Sequence, residues 1–322
     1  MPNTFWQPTA SITLMAARAR LNQTLRNFFH KRAVLEVETP LLSHTTGTDP
    51  NLHPITACYA SHPAAAATTM YLQTSPEFAM KRLLAAGSGP IFQICKAFRN
   101  GESGSRHNPE FTMLEWYRPG FTLQQLMDEV AELLTTALGP LEFTTTSYRQ
   151  LFLDHLAIDP FSCTDASLTD LVRQTIEVTG DISSRDNLLD LLYSHVIEPQ
   201  LQQPVFIFNY PASQAALARL TTDELGSQVA LRFELVMHGM EIANGYDELV
   251  NADEQARRFA ADQSVRSGNN MPVYPADQRL IEALAQGMPD CAGVALGVDR
   301  LLMLQTGMRQ ISDVLAFVHE RA

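Results

Sequence analysis

The chain has no glycine-rich phosphate loop: neither GxxxxGK[ST] nor GxGxxG occurs in its 322 residues. Any nucleotide must then be held by arginine side chains and metal instead of a cradle of backbone amides. HExxH and GxSxG are missing as well, which removes the usual signatures of zinc and serine hydrolases. The four cysteines (Cys58, Cys95, Cys163, Cys291) are widely spaced and form no CxxC pair, so neither a zinc site nor a disulfide framework is indicated. Reduced thiols in a cytoplasmic setting are the expectation. The 9 histidines are scattered and offer no basis for a Cys–His nucleophile or a His metal cluster. Long apolar runs are absent too. The alanine run at residues 64–67 is far too short to span a bilayer, and MPNTFWQPTAS at the start lacks the basic-then-apolar order of a signal peptide. Repeats and low-complexity tails are not found.

Basic residues are in the minority, 23 Lys and Arg against 35 Asp and Glu, for a formal net charge of −12. That argues against broad nucleic-acid binding, although a local basic site remains compatible with it. With 45% hydrophobic residues the chain can bury a substantial core.

Periodicity predicts an amphipathic helix over residues 11–32, a short strand over 34–39 ending at Pro40, and a turn-rich loop over 45–51. A strand over 71–74 leads to a helix capped by Ser75, with Pro76 and Glu77 in its first turn. A strand over 91–98 follows, then a helix from Thr122 to about residue 138, closed by Gly139-Pro140. Residues 144–204 are expected to be a mostly helical insertion. Beyond them come a buried strand over 205–210 and a long strand over 228–241. Helices over about 252–267 and 277–286 precede a small apolar strand over 293–297, which runs into a last helix at Asp299.

The stretch that organises the rest is FRNGESGSRHNPEFTMLEWY at residues 98–117. Its ends alternate like strands, with Phe111, Met113 and Glu115 on one face and Thr112, Leu114 and Trp116 on the other. Between Arg99 and Pro109 lies turn chemistry, so two antiparallel strands joined by a polar loop are expected. Arg99, Arg106 and His107 crowd this hairpin together with Glu102, Glu110 and Glu115, a pattern suited to gripping phosphate and an ammonium group at once. Elsewhere, Glu234 and Glu241 stand in an apolar strand, where a carboxylate is costly unless paired or metal-bound. Seven apart on one strand, they point to opposite faces unless a bulge intervenes. Each of these residues also has an ordinary reading. Arg300 can pair with Asp299, the two glutamates can be edge carboxylates, and Phe111 can be core packing.

Taken together, EVETPLL at 36–42, FRN…RHNPEFTMLEWY and ALGVDRLLML at 295–304 resemble the three signature motifs of the class II aminoacyl-tRNA synthetases, in order and spacing. TSPEFAMKRL, HNPEFTMLEWY and EIANGYDEL are closest to the lysyl branch. The resemblance covers most of the chain outside 144–204. It implies an α+β fold: a mainly antiparallel sheet flanked by helices, in one catalytic domain over 1–322 with the helical insertion within it. The first motif begins so near Met1 that no anticodon-binding barrel is expected, and a core without one is similar to the ligases that attach (R)-β-lysine to a lysine of elongation factor P. A truncated synthetase acting on tRNA or a small amine is the next reading, and a non-catalytic regulatory paralogue the third. Stable tRNA binding and membrane association are not expected.

The resemblance also assigns roles. Arg99 and Arg300 would be the catalytic cations, with Asn100, Glu102, His107, Asn108 and Phe111 completing the ATP site. Glu234 and Glu241 would hold Mg²⁺. Gly47, Ser75, Glu77, Glu115, Tyr117, Asn244, Glu248, Ala295 and Gly297 would form the pocket for β-lysine or lysine, where each buried ammonium needs a counter-charge. A homodimer built on the first helix and strand is implied as well. Two departures stand out. Gly101 replaces the family's glutamate, with Glu102 one place later. Ala295 replaces the first glycine of the third motif, putting a methyl into the amino-acid pocket.

Overall fold

The computed structural model describes residues 6–177 and 184–322. The first five residues of the stretch read for a signal peptide, and 178–183 within the expected insertion, lie outside the described residues. In chain order the N-terminal half runs α1 (Ile12–His30), β1 (Leu35–Glu36), β2 (Leu42–Ser43), β3 (Thr56–Tyr59), β4 (Thr68–Leu72), α2 (Glu77–Ala85), β5 (Ile91–Phe98), β6 (Glu110–Pro119) and α3 (Leu123–Leu138). Next come β7 (Thr144–Ser147), α4 (Tyr148–Leu156), α5 (Asp165–Thr175), α6 (Arg185–Leu192), β8 (Val205–Pro211) and β9 (Leu220–Thr222). The chain continues as β10 (Gln228–Met237), β11 (Met240–Asp247), α7 (Ala252–Gly268), α8 (Gln278–Gly287), β12 (Cys291–Gly297), α9 (Val298–Thr306) and α10 (Ile311–Val314).

The described strands make a nine-stranded sheet in the order β1-β5-β6-β12-β11-β10-β8-β7, with β9 pairing to β10, and a three-stranded sheet β2-β4-β3. Among the described strands only β1–β5 and β7–β8 pair in parallel, so this is the mainly antiparallel α+β fold expected. One face of the large sheet is apolar. Leu114, Trp116, Val294, Leu296, Phe233, Leu235 and Ala243 pack there against α1, α3 and α9. Phe29 of α1 stacks on Phe92 at 4.5 Å and meets Trp116 edge-on at 5.2 Å, which pins that helix to the sheet. The caps follow the sequence. Ser11 accepts the Leu14 N–H at 3.3 Å, Thr122 and Gln125 form a capping box, and Asp277 accepts the Leu280 N–H at 2.9 Å.

Three expectations change. Residues 144–147, read as the start of a helical segment, form an edge strand, because threonine and serine on β7 bond in parallel to β8. The strand near residue 71 lies further back, as β4 in the small sheet. Most consequential, the single strand expected over 228–241 is a hairpin: His238 and Gly239, at φ 54° and 62°, reverse the chain between β10 and β11.

Candidate active site

Residues paired across a sheet share a face, and the register writes the site as two rows on the face opposite the core. One row runs Gln93, Glu115, Ala295, Asn244, Glu234; the next runs Ile91, Tyr117, Gly293, Tyr246, Arg232. A register irregularity between Leu235 and Val236 pairs Val236 with Glu241, two places along β10 from Glu234, so both glutamates face the same side. The hairpin and its bulge remove the objection that residues seven apart must diverge.

Above these rows lies a cavity of about 440 Å³. Its lining includes Ser75, Glu77, Arg99, Glu102, His107, Asn108, Phe111, Glu115, Tyr117, Glu234, Glu241, Asn244, Glu248, Ala295, Gly297 and Arg300. Two of the residues given site roles above fall elsewhere. Asn100 is exposed in the β5–β6 turn, its N–H donating to the His53 carbonyl at 2.7 Å, and Gly47 lines an adjoining cleft of about 1350 Å³.

One end of the cavity is acidic. Ser75 does not take the N-cap of α2 expected of it: Pro76 stands there, and the Ser75 hydroxyl, one place earlier, accepts the Glu77 N–H at 3.0 Å and donates to Glu115 at 2.8 Å. The Tyr117 hydroxyl donates to the other Glu115 oxygen at 2.7 Å. Lys81, one turn along α2 from Glu77, places its ammonium 2.5 Å from Glu77 and 2.6 Å from Glu248. Burial works against the Lys81 charge, but Glu248 and Glu77 outweigh it and hold its pKa above the ordinary lysine value. Burial, reinforced by the charge of Glu77, pushes Glu115 up to about 7; burial pushes Glu248 up to about 8 against the pull of Lys81. Gly293 is required by this crowding, since a Cβ there would stand 2.3 Å from a Glu248 oxygen and 2.4 Å from the Tyr117 ring.

The other end is cationic. Arg99 faces the Phe111 ring with its guanidinium carbon 5.1 Å from the centroid, and its buried Nε has no hydrogen-bond partner. Glu102 lies 3.7 Å from Arg99, while Gly101 adopts φ 84°, a conformation that turns the loop there. Arg300 donates to the Glu241 carbonyl and approaches His107 Nε2, each at 2.7 Å. Burial and the neighbouring Arg300 lower the His107 pKa, so its ring is neutral and accepts. Arg300 does not pair with Asp299. That carboxylate takes Arg18 and the Thr112 N–H instead, locking α1 and α9 to β6. Asn108 spends its amide on the Glu110 carbonyl at 2.6 Å and accepts from the His319 N–H at 3.2 Å.

Between the ends, Glu234 is ion-paired to Arg232 and accepts the Tyr193 hydroxyl at 3.2 Å. Glu198 accepts the Glu241 N–H at 3.2 Å, and burial together with Glu241 and Glu234 raises its pKa to about 7. The described residues contain no group of three or more His, Cys, Asp or Glu side chains that could hold a metal ion. Two carboxylates suit Mg²⁺ all the same, since that ion keeps several waters and takes one or two carboxylates beside substrate phosphates. Lys81, Arg232, Tyr193 and Glu198 were not singled out in the sequence. Lys81 carried a signal, its i,i+4 spacing from Glu77 on a helix. The other three are brought in by the hairpin and by the turn of π-helix at Tyr193–Ile197, which no local pattern announces.

The family described as tRNA synthetases class II (D, K and N) matches residues 7–321. The chain belongs to this family. Within the class II family it is similar to curated proteins named elongation factor P–(R)-β-lysine ligase. The one from Pectobacterium carotovorum subsp. carotovorum (strain PC1) is 47% identical over 325 residues, 99% of each chain. The one from Sodalis glossinidius (strain morsitans) is 48% identical over 321 residues and the one from Salmonella typhi 46% over 321 residues, in both cases 98% of each chain. Among the described residues no helix is long and apolar enough to cross a membrane.

Proposed function

We propose that this chain is an ATP-dependent ligase that activates (R)-β-lysine as an aminoacyl-adenylate and passes it to a lysine side chain of elongation factor P. The observation that carries this reading is identity of 46–48%, over nearly the whole length of both chains, with proteins of that name. The cavity supports it with opposed ends, one for ammonium groups and one for phosphate and carboxylate.

Arg99, with spare donors, would bind the α-phosphate and the substrate carboxylate and counter the charge that builds as they react. Phe111 would stack on adenine; Arg300 and the neutral His107 would face the triphosphate. Glu234 and Glu241 would hold Mg²⁺, which supplies charge neutralisation on the phosphates. Glu102 would take the adenine-side contact left by Gly101. Glu77, Glu115, Glu248, Tyr117 and Asn244 would hold the amino groups, so that oxygen and phosphorus meet in line without a protein nucleophile. The acceptor amine then attacks the carbonyl and AMP leaves.

We take 1–322 as one catalytic domain acting in the cytoplasm as a homodimer. The exposed Ile12, Leu35 and Leu41, on or beside α1 and β1, support that contact. A stable monomer by mass measurement in dilute solution would remove it.

One tube tests the main reading. Protein, ATP and Mg²⁺ are mixed with labelled (R)-β-lysine or α-lysine, elongation factor P and total tRNA. Label on the protein acceptor, stronger with β-lysine, is expected. Label on tRNA would make the chain a minimal synthetase, and no label with no pyrophosphate release would make it a regulatory paralogue.

A further inference from the structure

Lys81 is a charge with no part in the scheme above. It is 1% exposed, among the largest fully buried side chains of the protein, yet it lines neither the cavity nor the adjoining cleft. Its ammonium stands behind the wall, 2.5 Å from Glu77 and 2.6 Å from Glu248, while those carboxylates line the cavity. The arrangement is held from both sides. Met80 and Leu84 anchor α2 in the apolar cluster that also contains Tyr117 and Cys291, and Gly293 leaves just enough room for Glu248.

A buried lysine bridging two glutamates is a poor device for stability, because desolvation offsets most of the attraction. Its effect on the cavity is larger. Three carboxylates, Glu77, Glu115 and Glu248, converge at the acidic end. With all three ionised, as they must be to hold ammonium groups, one resident ammonium leaves an excess of two negative charges, which matches a ligand bearing two ammonium groups. A ligand with one leaves a buried carboxylate uncompensated.

We propose that Lys81 is a specificity-determining positioning residue: it fixes Glu77 and Glu248 from behind and sets the charge deficit of the cavity at two, selecting a diamino acid over a mono-amino acid. This rests on the proposed amino-acid activation and adds the element that counts amino groups. Substrate does not touch Lys81, which acts through the two carboxylates.

The test is a charge-count cycle read by direct binding. Calorimetry would compare (R)-β-lysine with 6-aminohexanoic acid, which lacks one amino group, on the full chain and on Lys81→Met, Glu248→Gln and the double variant. The ratio of the two affinities is the readout. Glu248→Gln leaves a deficit of one and should lower the ratio at least tenfold. Adding Lys81→Met returns the deficit to two, so the double variant should recover at least tenfold of the preference for the diamino acid that Glu248→Gln alone loses. A packing role for Lys81 predicts the opposite, a double variant no better than the worse single one, and that result overturns the proposal. If Lys81→Met prevents folding, the cycle is run with Lys81→Gln, and a Lys81→Gln/Glu248→Gln double variant whose ratio stays at that of Glu248→Gln overturns the proposal. A wild-type protein with no preference for the diamino acid would overturn the amino-acid reading and this proposal together; a wild-type preference that all variants keep would overturn this proposal only.

Discussion

The two ends of the cavity solve opposite problems with opposite means. At the acidic end the groups are buried and hydrogen-bonded or ion-paired to one another: Ser75 and Tyr117 bond to Glu115, and Lys81 pairs with Glu77 and Glu248. At the cationic end Arg99 and Arg300 are partly open, hold backbone carbonyls or loose ion pairs, and keep donors free. A closed network selects, since any ligand must match its charge and shape at a desolvated surface. An open pair of arginines binds an anion as it changes charge during reaction. Damage at the first end should therefore read out in KM, and damage at the second in kcat.

The largest effect expected is at the open end. Arg99→Ala should lower kcat for adenylate formation, followed by ATP–pyrophosphate exchange, by about 10²–10³-fold. Its melting temperature should barely move, because a partly exposed side chain carries little stability. An Arg99→Ala protein with near-normal exchange would remove Arg99 from the reaction.

Next is the closed end. Gly293→Ala drives a methyl into Glu248 and the Tyr117 ring, so something must shift. Overpacking of this kind costs about 1–3 kcal/mol. The same shift would spoil the proposed ammonium site, so KM for the amino acid should rise more than tenfold, with kcat at saturation falling much less. A fall in kcat at unchanged KM would break the division between the ends.

The pH dependence follows from burial at that end. Glu115 must be charged to hold an ammonium, and its pKa stands at about 7 in the unliganded protein. Glu248, at about 8, must shed its proton as well, so the proton competes with the substrate and KM should rise by up to about tenfold per pH unit below 8, more steeply below 7, and level off above 8. Stability of the unliganded protein should run the other way. Glu115 and Glu248, at about 7 and about 8, bind their protons more tightly folded than unfolded. The stability they contribute is full below the ordinary carboxylate pKa and is lost as pH rises through 7 to 8. Melting curves at pH 6 and 8, with and without (R)-β-lysine, check both signs.

Much of this site was legible in the chain because its residues sit on strands whose alternation can be read directly. Phe111, Met113, Glu115 and Tyr117 share a face by period two, and Ser75 and Glu77 announce themselves at a helix start. The relation of Glu234 to Glu241 was not legible. His238-Gly239 lies inside an apolar run, and the positive φ at histidine is set by the hairpin that the rest of the sheet imposes. Tyr193 and Glu198 come from a segment with weak patterning, and what aims them is packing against β10 and β11. Residues 144–147 were misread because a run of threonine signals a strand only where a neighbour such as β8 offers a free edge.

The smallest expected effect is the most specific. Ala295 lies in register between Glu115 and Asn244, so its methyl occupies the floor of the acidic end, between two residues proposed to hold amino groups. Ala295→Gly removes that methyl and leaves every charge in place. The discrimination at stake is that of one carbon, about 1 kcal/mol at the lower end of such effects, or roughly fivefold. The variant should gain α-lysine activation by about that factor relative to (R)-β-lysine, because α-lysine carries its amino group one carbon nearer the carboxylate and needs the space. Glycine in a strand interior weakens it by about 0.5–1 kcal/mol, so a small drop in melting temperature is expected alongside. Both substrates changing by the same factor would mean that Ala295 only packs the strand, and that the closed end chooses by charge and not by shape.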